Sequence, residues 1–218
     1  VLVLTGAGRA FCASVDIKEF AGVDGSFLSD TSISDFYEFA RSHPQKVTLA
    51  LHNMEKPTIA MVNGLALGDG FDWILSCDIR VGSENAKFRA GFLQMALFPI
   101  TGSAWLYPRA MGINKALELL YTDDWMSAPE AYEAGVLNKV TSGEKLKEDT
   151  MVLAGKIAKA PPIAVRLVKK HVYGGLGLSL EESLENASLA EALTLASRDH
   201  MEALSAFREK RPPVFRGV

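Results

Sequence analysis

Residues 56–78, KPTIAMVNGLALGDGFDWILSCD, carry the pattern of a buried strand, a glycine-rich turn and a helix. A strand is predicted at Thr58–Val62, because a short apolar and β-branched run behind a proline favours extended structure. Asn63-Gly64 and Gly68-Asp69-Gly70 supply turn residues after it. Residues 71–77 are apolar enough for a buried helix. The stretch therefore predicts a helix that begins directly behind a glycine-rich turn.

The start of this helix is a candidate site for an anion. Its first backbone N–H groups have no partner inside the helix, and the helix dipole adds positive potential there. Such a place can hold a phosphate group, or the oxyanion of a thioester that turns into an enolate. Asp72 lies in the first turn of the predicted helix and can serve as an acid or base beside it.

The composition restricts the class of protein and its partners. A chain of 218 residues can form one sizeable core, and 48% hydrophobic with 22% charged residues is typical of a soluble globular protein. A net charge of −3 gives no footprint for a polyanion, so nucleic acid is not an expected partner. No apolar run is long enough to span a bilayer, so no membrane partner is expected.

Cysteine and histidine positions predict neither a disulfide framework nor a metal site. Cys12 and Cys77 form no CxxC pair, which favours a reducing cytoplasm. The four histidines lack the spacing of metal ligands.

Two regions are predicted along the chain. Residues 1–140 alternate short apolar strands with helices, the pattern of stacked β/α units. Residues 141–218 are expected to be helical, with Pro162 opening one helix and helical periodicity from 179 to 207. Further expected elements are strands at 1–5, 79–82 and 136–140, one helix over 34–53, helices at 113–121 and 128–134, and a polar loop at 24–34.

Four blocks of this sequence, in order, resemble the enoyl-CoA hydratase/isomerase (crotonase) superfamily. One block is residues 56–78, with Asn63-Gly64, Gly68, Gly70 and Cys77-Asp78 at the family's spacing. The others are VLVLTGAGRAFCASVDIKEF from Val1, then Ala86-Lys87-Phe88 with Pro99, Gly102, Arg109 and Gly112, and AFREKRPPVFRG from Ala206. The resemblance implies an α/β fold, a crotonase-like spiral of β/α units with a C-terminal helical portion. It also implies a homotrimer or homohexamer, and a further strand and helix ahead of Val1.

The resemblance implies an oxyanion hole made of two backbone N–H groups that stabilise a CoA-thioester enolate. By position these belong to Val15, directly before Asp16, and to Asp69 in the Gly-x-Gly turn. Glycine is common at the second place, and a carboxylate near an enolate opposes catalysis unless it points away. The alternative is that Asp69 is the N-cap of the helix, with Asp72 as a capping-box-like acid.

Contacts to an acyl-CoA substrate are implied at several further positions, and coenzyme A is part of the substrate, so no separate cofactor is expected. Lys18 can pair with a phosphate as a point charge. Phe207 and Lys210 match residues that reach the adenine ring or 3′-phosphate, or else form a solvated helix end with one buried aromatic. The implied binding residues are Ala13, Asp16, Ile17, Lys18, Gly68, Phe92, Phe207 and Lys210.

The second acid that family hydratases use has no counterpart. Asp72 matches the first acid, but Phe92 stands four residues after Phe88, where the second is expected, and Ile100 occupies another acidic place. The pocket wall there is therefore predicted to be apolar. Phe92 and the block 105–109, WLYPR, resemble an isomerase branch for ring-bearing acyl-CoA. The alternative is that Phe92, Phe98 and Trp105 are ordinary core aromatics.

Three functions stay open at this point. The first is a lyase or isomerase acting on an unsaturated acyl-CoA through an enolate, with Asp72 as its lone acid/base. The second is an acyl-CoA thioester hydrolase in which Asp72 orients water. The third is a non-catalytic member that binds CoA esters.

Overall fold

The computed structural model describes residues 1–16 and 32–218, which divide into two compact units. The larger unit is Val3–Met54 with Thr58–Thr150, and the smaller is Val1–Leu2, Glu55–Pro57 and Met151–Val218. The sequence also predicts that residues 1–140 carry the acyl-CoA site and that residues 141–218 mediate oligomerisation. This functional division stays a prediction.

Strands and helices alternate through the larger unit, as the sequence predicts. The strands are β1 (Leu2–Thr5), β2 (Ala10–Cys12), β3 (Thr58–Val62), β4 (Leu65–Leu67), β5 (Ile79–Ser83), β6 (Lys87–Arg89), β7 (Met126–Ser127) and β8 (Lys139–Thr141). The helices to this point are α1 (Ile33–Ser42), α2 (Pro44–Asn53), α3 (Asp69–Leu75), α4 (Ser103–Met111), α5 (Ile113–Thr122) and α6 (Ala128–Glu133), with a 3₁₀ turn at Leu93–Met95. The remaining helices are α7 (Leu146–Ala158), α8 (Pro162–Gly175), α9 (Leu180–Leu195) and α10 (Arg198–Glu209).

The described strands form two four-stranded sheets, in the orders β1-β3-β5-β8 and β2-β4-β6-β7. Neighbours in the first sheet run parallel where β3 meets β5, with Ile59 opposite Ile79, and where β5 meets β8. In the second sheet β2, β4 and β6 are parallel, and β7 pairs antiparallel with β6. From β1 to β6 the strands alternate between the two sheets, and α3 follows β4 at the glycine-rich turn.

The helix α3, which carries the candidate acid Asp72, is held in place by its buried side chains. Phe71 and Ile74 are fully buried, and the Phe71 ring lies 5.2 Å from Phe88 and 4.8 Å from Tyr107 between centroids. Burying one such side chain contributes about 1.5–3 kcal/mol. The helix end is tied to β3, because Thr58 N–H donates to Asp78 Oδ2 at 2.8 Å and Asp78 N–H donates to Thr58 Oγ1 at 2.9 Å. Asp78 is therefore a structural charge.

Some boundaries in the larger unit differ from the sequence prediction by more than two residues or by a division of the element. The single helix expected over 34–53 is two helices, because Pro44 has no N–H to continue α1 and instead begins α2. The loop expected at 24–34 falls mostly in residues 17–31, outside the described part, and Ile33 already belongs to α1 with Ser32 as its N-cap. The strand expected at 136–140 begins only at Lys139.

The smaller unit is helical, as predicted for this part of the chain. Pro162 is the first residue of α8, and Ser179 caps α9 with a capping box to Glu182. The periodicity from 179 to 207 belongs to two helices, because Ser197 caps the separate helix α10. Within residues 1–16 and 32–218, no helix combines the length and the apolar character needed to cross a bilayer.

Candidate active site

The segment of residues 6–10 lies against Asn63-Gly64, which is far from it in sequence. The Asn63 side chain forms three hydrogen bonds to this segment. Its Oδ1 accepts from Gly6 N–H at 3.1 Å, and its Nδ2 donates to the carbonyls of Gly8 at 3.0 Å and Ala10 at 3.1 Å. At Gly64 an added Cβ would lie 2.0 Å from the Arg9 carbonyl oxygen, so only glycine fits. The Asn-Gly pair thus holds residues 6–10 beside the strand that leads into α3.

The turn itself packs directly on the end of β2 and on the residues that follow it. A Cβ on Gly70 would lie 2.5 Å from the Cβ of Cys12, and a Cβ on Gly68 would lie 2.6 Å from the Ser14 hydroxyl. Gly68 also has φ +55° and ψ −123°, a backbone conformation that suits glycine. The two sequence blocks that the family resemblance pairs are therefore neighbours in the structure.

The predicted oxyanion donors lie on these two segments. Asp69 is the first residue of α3, where a backbone N–H has no partner inside the helix. Val15 follows Ser14, which has φ +70°, and Val15 is exposed. Among residues 1–16 and 32–218, no acceptor pairs with the N–H of Asp69 or of Val15. Both groups are thus available to a ligand as far as the described residues are concerned.

The alternative role of Asp69 as the helix N-cap is wrong. Gly68 is the N-cap, because its positive φ turns the chain into the helix one residue earlier. The Asp69 carboxyl instead accepts a hydrogen bond from Thr101 Oγ1 at 2.9 Å. Asp72 is likewise no capping-box acid, since its carboxyl faces hydroxyl groups outside α3.

Asp72 is fully buried and held by two hydroxyl groups. Ser103 Oγ lies 2.7 Å from Oδ1 and 2.8 Å from Oδ2, and Thr101 Oγ1 lies 2.5 Å from Oδ2. Burial raises the pKa of Asp72 to about 6, against the lowering effect of these two hydroxyls, and the charge of Asp69 raises it further. A carboxyl that titrates near neutral pH can both accept and release a proton during turnover.

The Tyr107 phenol and the Cys12 thiol near these carboxyls are protonated at neutral pH. Burial raises the pKa of Tyr107, whose ring is fully buried against Phe71, well above its ordinary value. Burial also raises the pKa of the half-buried Cys12 thiol, with a smaller contribution from Asp69. Cys12 is therefore a poor nucleophile.

The place of the missing second acid is apolar, as predicted. Phe92 is buried and precedes the 3₁₀ turn. It lines a cavity of about 430 Å³ together with Phe98, Pro99, Leu117 and Tyr121. No titratable side chain other than the Tyr121 phenol lines this cavity among the described residues. The wall can hold a hydrocarbon group.

Two aromatic residues nearby are not core residues. Phe98 is 73% exposed and Trp105 is 41% exposed, so the core interpretation is wrong for both and holds only for Phe92. The Arg109 guanidinium lies over the Trp105 ring at 3.9 Å from its centroid, and the His52 ring meets the ring edge at 5.1 Å. Arg109 therefore has a stacking role here.

The predicted CoA-binding residues fall into three groups. Ala13 and Asp16 are exposed beside the turn that contains Gly68, whereas Ile17 and Lys18 lie outside the described residues. Phe207 and Lys210 belong to the smaller unit, at the end of α10. Phe207 is 85% exposed, so the alternative of a buried aromatic at this helix end is wrong.

Sequence reasoning missed Thr101 and Ser103. It weighed Ile100, the residue just before them, only as a lost acid. A Thr-Gly-Ser segment ahead of a helix would ordinarily be interpreted as capping chemistry, and nothing local links it to a carboxyl about 30 residues earlier. No group of three or more His, Cys, Asp or Glu in the described ranges could hold a metal ion.

Comparisons with known proteins agree with this architecture. The structure matches a crystal structure of an enoyl-CoA hydratase from Bacillus anthracis with a TM-score of 0.91 and 34% identity, covering 99% of this chain and 81% of that one. A putative enoyl-CoA hydratase from Streptomyces coelicolor A3(2) matches with a TM-score of 0.92 and 31% identity, covering 100% and 78%. The fold is therefore the crotonase fold.

Sequence comparison identifies the family of this chain. The enoyl-CoA hydratase/isomerase family model matches residues 1–218. A crotonyl-CoA hydratase of Syntrophomonas wolfei is 35% identical over 215 residues, which are 99% of this chain and 80% of that protein. A 1,2-epoxyphenylacetyl-CoA isomerase of Escherichia coli K12 is 32% identical over 219 residues, 99% and 80%. The chain belongs to the enoyl-CoA hydratase/isomerase family.

Proposed function

We propose that this family member is an acyl-CoA-processing enzyme that stabilises a thioester enolate and acts as a lyase or isomerase on an unsaturated acyl-CoA. The observation that carries the proposal is the close packing of Cys12 and Ser14 on the Gly68–Gly70 turn. This packing sets two backbone segments with available N–H groups beside a helix that holds a buried acid.

The N–H groups of Val15 and Asp69 bind the thioester carbonyl oxygen. Removal of a proton next to the thioester places negative charge on that oxygen, so hydrogen bonds to it strengthen in the transition state. The start of α3 adds positive potential at the same place. Backbone donors suit this task because they are already held in position before the reaction.

Asp72 is the acid/base of this reaction. A single carboxyl can take a proton from one carbon of the enolate system and return it to another, which is an isomerisation with no net change of atoms. Hydration needs an acid and a base on one water. Phe92 at the second place, fully apolar and buried, therefore favours isomerisation over two-carboxylate hydration.

The cavity beside Phe92 supports a hydrocarbon or ring-bearing acyl group. Its walls come from Phe98, Leu117 and Tyr121 among others, so polar acyl groups would lose hydration there without gaining partners. Coenzyme A enters as part of the substrate, with no separate cofactor. We assign its contacts to the residues that the family resemblance implies, which are Ala13, Asp16, Ile17, Lys18, Gly68, Phe92, Phe207 and Lys210.

We also propose a homotrimer or homohexamer in the cytoplasm. Leucines on α9 are exposed, and an isolated chain would leave this apolar surface in water. These residues are Leu180, Leu184, Leu189 and Leu193. A chain with only two cysteines and no CxxC pair agrees with a reducing compartment.

The test is incubation of the protein with enoyl-, dienoyl- and aryl-acyl-CoA esters, followed by mass analysis of the products. An unchanged mass with altered retention supports isomerisation, and added water supports a hydratase. Free CoA would indicate a thioester hydrolase. Binding without transformation of any ester would overturn the proposal in favour of a non-catalytic CoA-ester-binding protein.

A further inference from the structure

The Thr101 hydroxyl lies between two carboxyl groups. Its oxygen is 2.9 Å from Asp69 Oδ1 and 2.5 Å from Asp72 Oδ2. A threonine hydroxyl has one hydrogen, so it can donate to only one of the two carboxyls. The other contact is a hydrogen bond only if that carboxyl is protonated and donates to the threonine oxygen. This geometry suits a single proton shared by the two aspartates through Thr101.

The surroundings favour a proton over a cation as the compensating charge. Among residues 1–16 and 32–218, no Lys, Arg or His forms an ion pair with Asp69 or Asp72. The other titratable groups that face the pair are Cys12 from β2 and Tyr107 from α4, and both are neutral near pH 7. Two ionised carboxylates with no cation would be costly to bury.

We propose that Asp69, Thr101 and Asp72 form a proton relay, in which Asp72 is the acid/base of the proposed reaction and Asp69 carries its proton to and from the substrate. This rests on the proposed function and deepens it. In one direction the O–H bond of protonated Asp72 breaks and its proton moves to Thr101 Oγ1. The hydrogen of Thr101 moves at the same time to Asp69 Oδ1, and the negative charge passes from Asp69 to Asp72.

The order of the relay follows from burial and position. Asp72 is 0% exposed, and both its oxygens already contact the Ser103 and Thr101 hydroxyls. Asp69 keeps 5% exposure and is the residue whose backbone N–H is a candidate oxyanion donor. Of the two hydroxyls that contact Asp72, only that of Thr101 also contacts Asp69, so a proton that passes from Asp72 to Asp69 by these contacts goes through Thr101.

The relay also removes the difficulty of a carboxylate beside an enolate. When Asp69 holds the shared proton it is neutral, and its charge no longer opposes the oxyanion. The negative charge then resides on Asp72, one turn further along α3 and stabilised by the Ser103 hydroxyl.

The first test uses the unliganded protein labelled with ¹³C-carboxyl aspartate, so it is independent of any activity. NMR titrations of the parent, D69N, D72N, T101V and T101S follow the two carboxyl signals, which D69N and D72N assign. We expect coupled titration in the parent and T101S. In D69N the pKa of Asp72 falls because a neighbouring charge is lost, and in T101V it rises because a hydroxyl donor is lost. An unchanged Asp72 titration in D69N would overturn the shared proton.

The second test uses turnover of whichever acyl-CoA the parent transforms. T101V is expected to lower kcat about 10- to 100-fold with KM unchanged, while T101S restores most of the activity. Circular dichroism checks that each variant is folded. A folded T101V with the parent's kcat and pH profile would overturn the relay. Failure of the parent on every ester would count against the proposed function, and the NMR titration would still test the relay.

Discussion

The Ser103 hydroxyl contacts both oxygens of the Asp72 carboxyl, at 2.7 Å and 2.8 Å. One residue thus holds the orientation of the candidate acid from outside its own helix. Because Asp72 is fully buried, this contact replaces hydration that the carboxyl loses on folding. Burial and hydroxyl partners together set the pKa of Asp72 at about 6, and a carboxyl with a perturbed pKa is a candidate catalytic group.

Asp72→Asn is expected to lower turnover by about 10²-fold or more while acyl-CoA binding is kept. The amide preserves the shape of the side chain and still accepts from Ser103, but it transfers no proton. Steady-state kinetics and equilibrium binding of a CoA ester measure the two effects separately. Turnover equal to that of the parent would place the base elsewhere. Equal loss of folding and binding would leave Asp72 with a structural role only.

The stability of the parent relative to Asp72→Asn is expected to fall as pH rises from about 4 to about 6. The folded pKa of Asp72, about 6, is above the unfolded value, so the folded state binds its proton more tightly. The resulting stability is fully present below the unfolded pKa and is lost as pH rises through the folded pKa. The shift is worth roughly 2–3 kcal/mol. Urea unfolding of both proteins across this range measures it, and a pH-independent difference would contradict the raised pKa.

Asp69→Pro is expected to cut turnover by roughly two to three orders of magnitude relative to Asp69→Ala. Both variants lose the carboxyl, but only proline also removes the backbone N–H. Asp69 is the first residue of α3, a position that proline occupies without breaking a helix. The comparison therefore isolates the proposed oxyanion donor. Similar kcat/KM in two folded variants would remove Asp69 from the oxyanion hole.

Gly68→Ala is expected to lower both stability and turnover more than Gly8→Ala does. Both glycines have positive φ, +55° and +75°, so an alanine is strained at both positions. Only at Gly68 would the new Cβ also meet a side chain, with the Ser14 hydroxyl at 2.6 Å, whereas Gly8 has open space. Thermal unfolding and kinetics of the pair measure the difference. Equal effects would mean that the loop contact does not constrain the site.

Light scattering at micromolar concentration is expected to give the mass of a trimer or of a dimer of trimers. The reason is the exposed leucine surface of α9, including Leu184 and Leu193, which association would remove from water. Leu184→Lys with Leu193→Lys should weaken assembly, and lysines at two exposed polar positions of the same helix, Glu185 and Ser188, are the matched control. A monomeric parent would count against the assembly.

The sequence alone determined the local elements on which the site is built. Thr58–Val62 is a strand with the predicted bounds, the glycine-rich turn precedes a helix, and Pro162 opens α8. These features follow from backbone preferences that each residue carries in any context: β-branched side chains favour strands, glycine permits positive φ, and proline fits the first turn of a helix. The order of the four blocks was likewise enough to indicate the family.

Only the tertiary structure decided the chemistry around Asp72. Thr101 and Ser103 lie 29 and 31 residues after Asp72, and they reach its carboxyl because α4 packs on α3 through Phe71 and Tyr107. Hydrogen bonds at that separation depend on how the core packs, which no local pattern of hydroxyl residues reveals. The pKa of Asp72 was open for the same reason, since opposing effects of burial and hydrogen bonding are decided by the depth to which the side chain is buried.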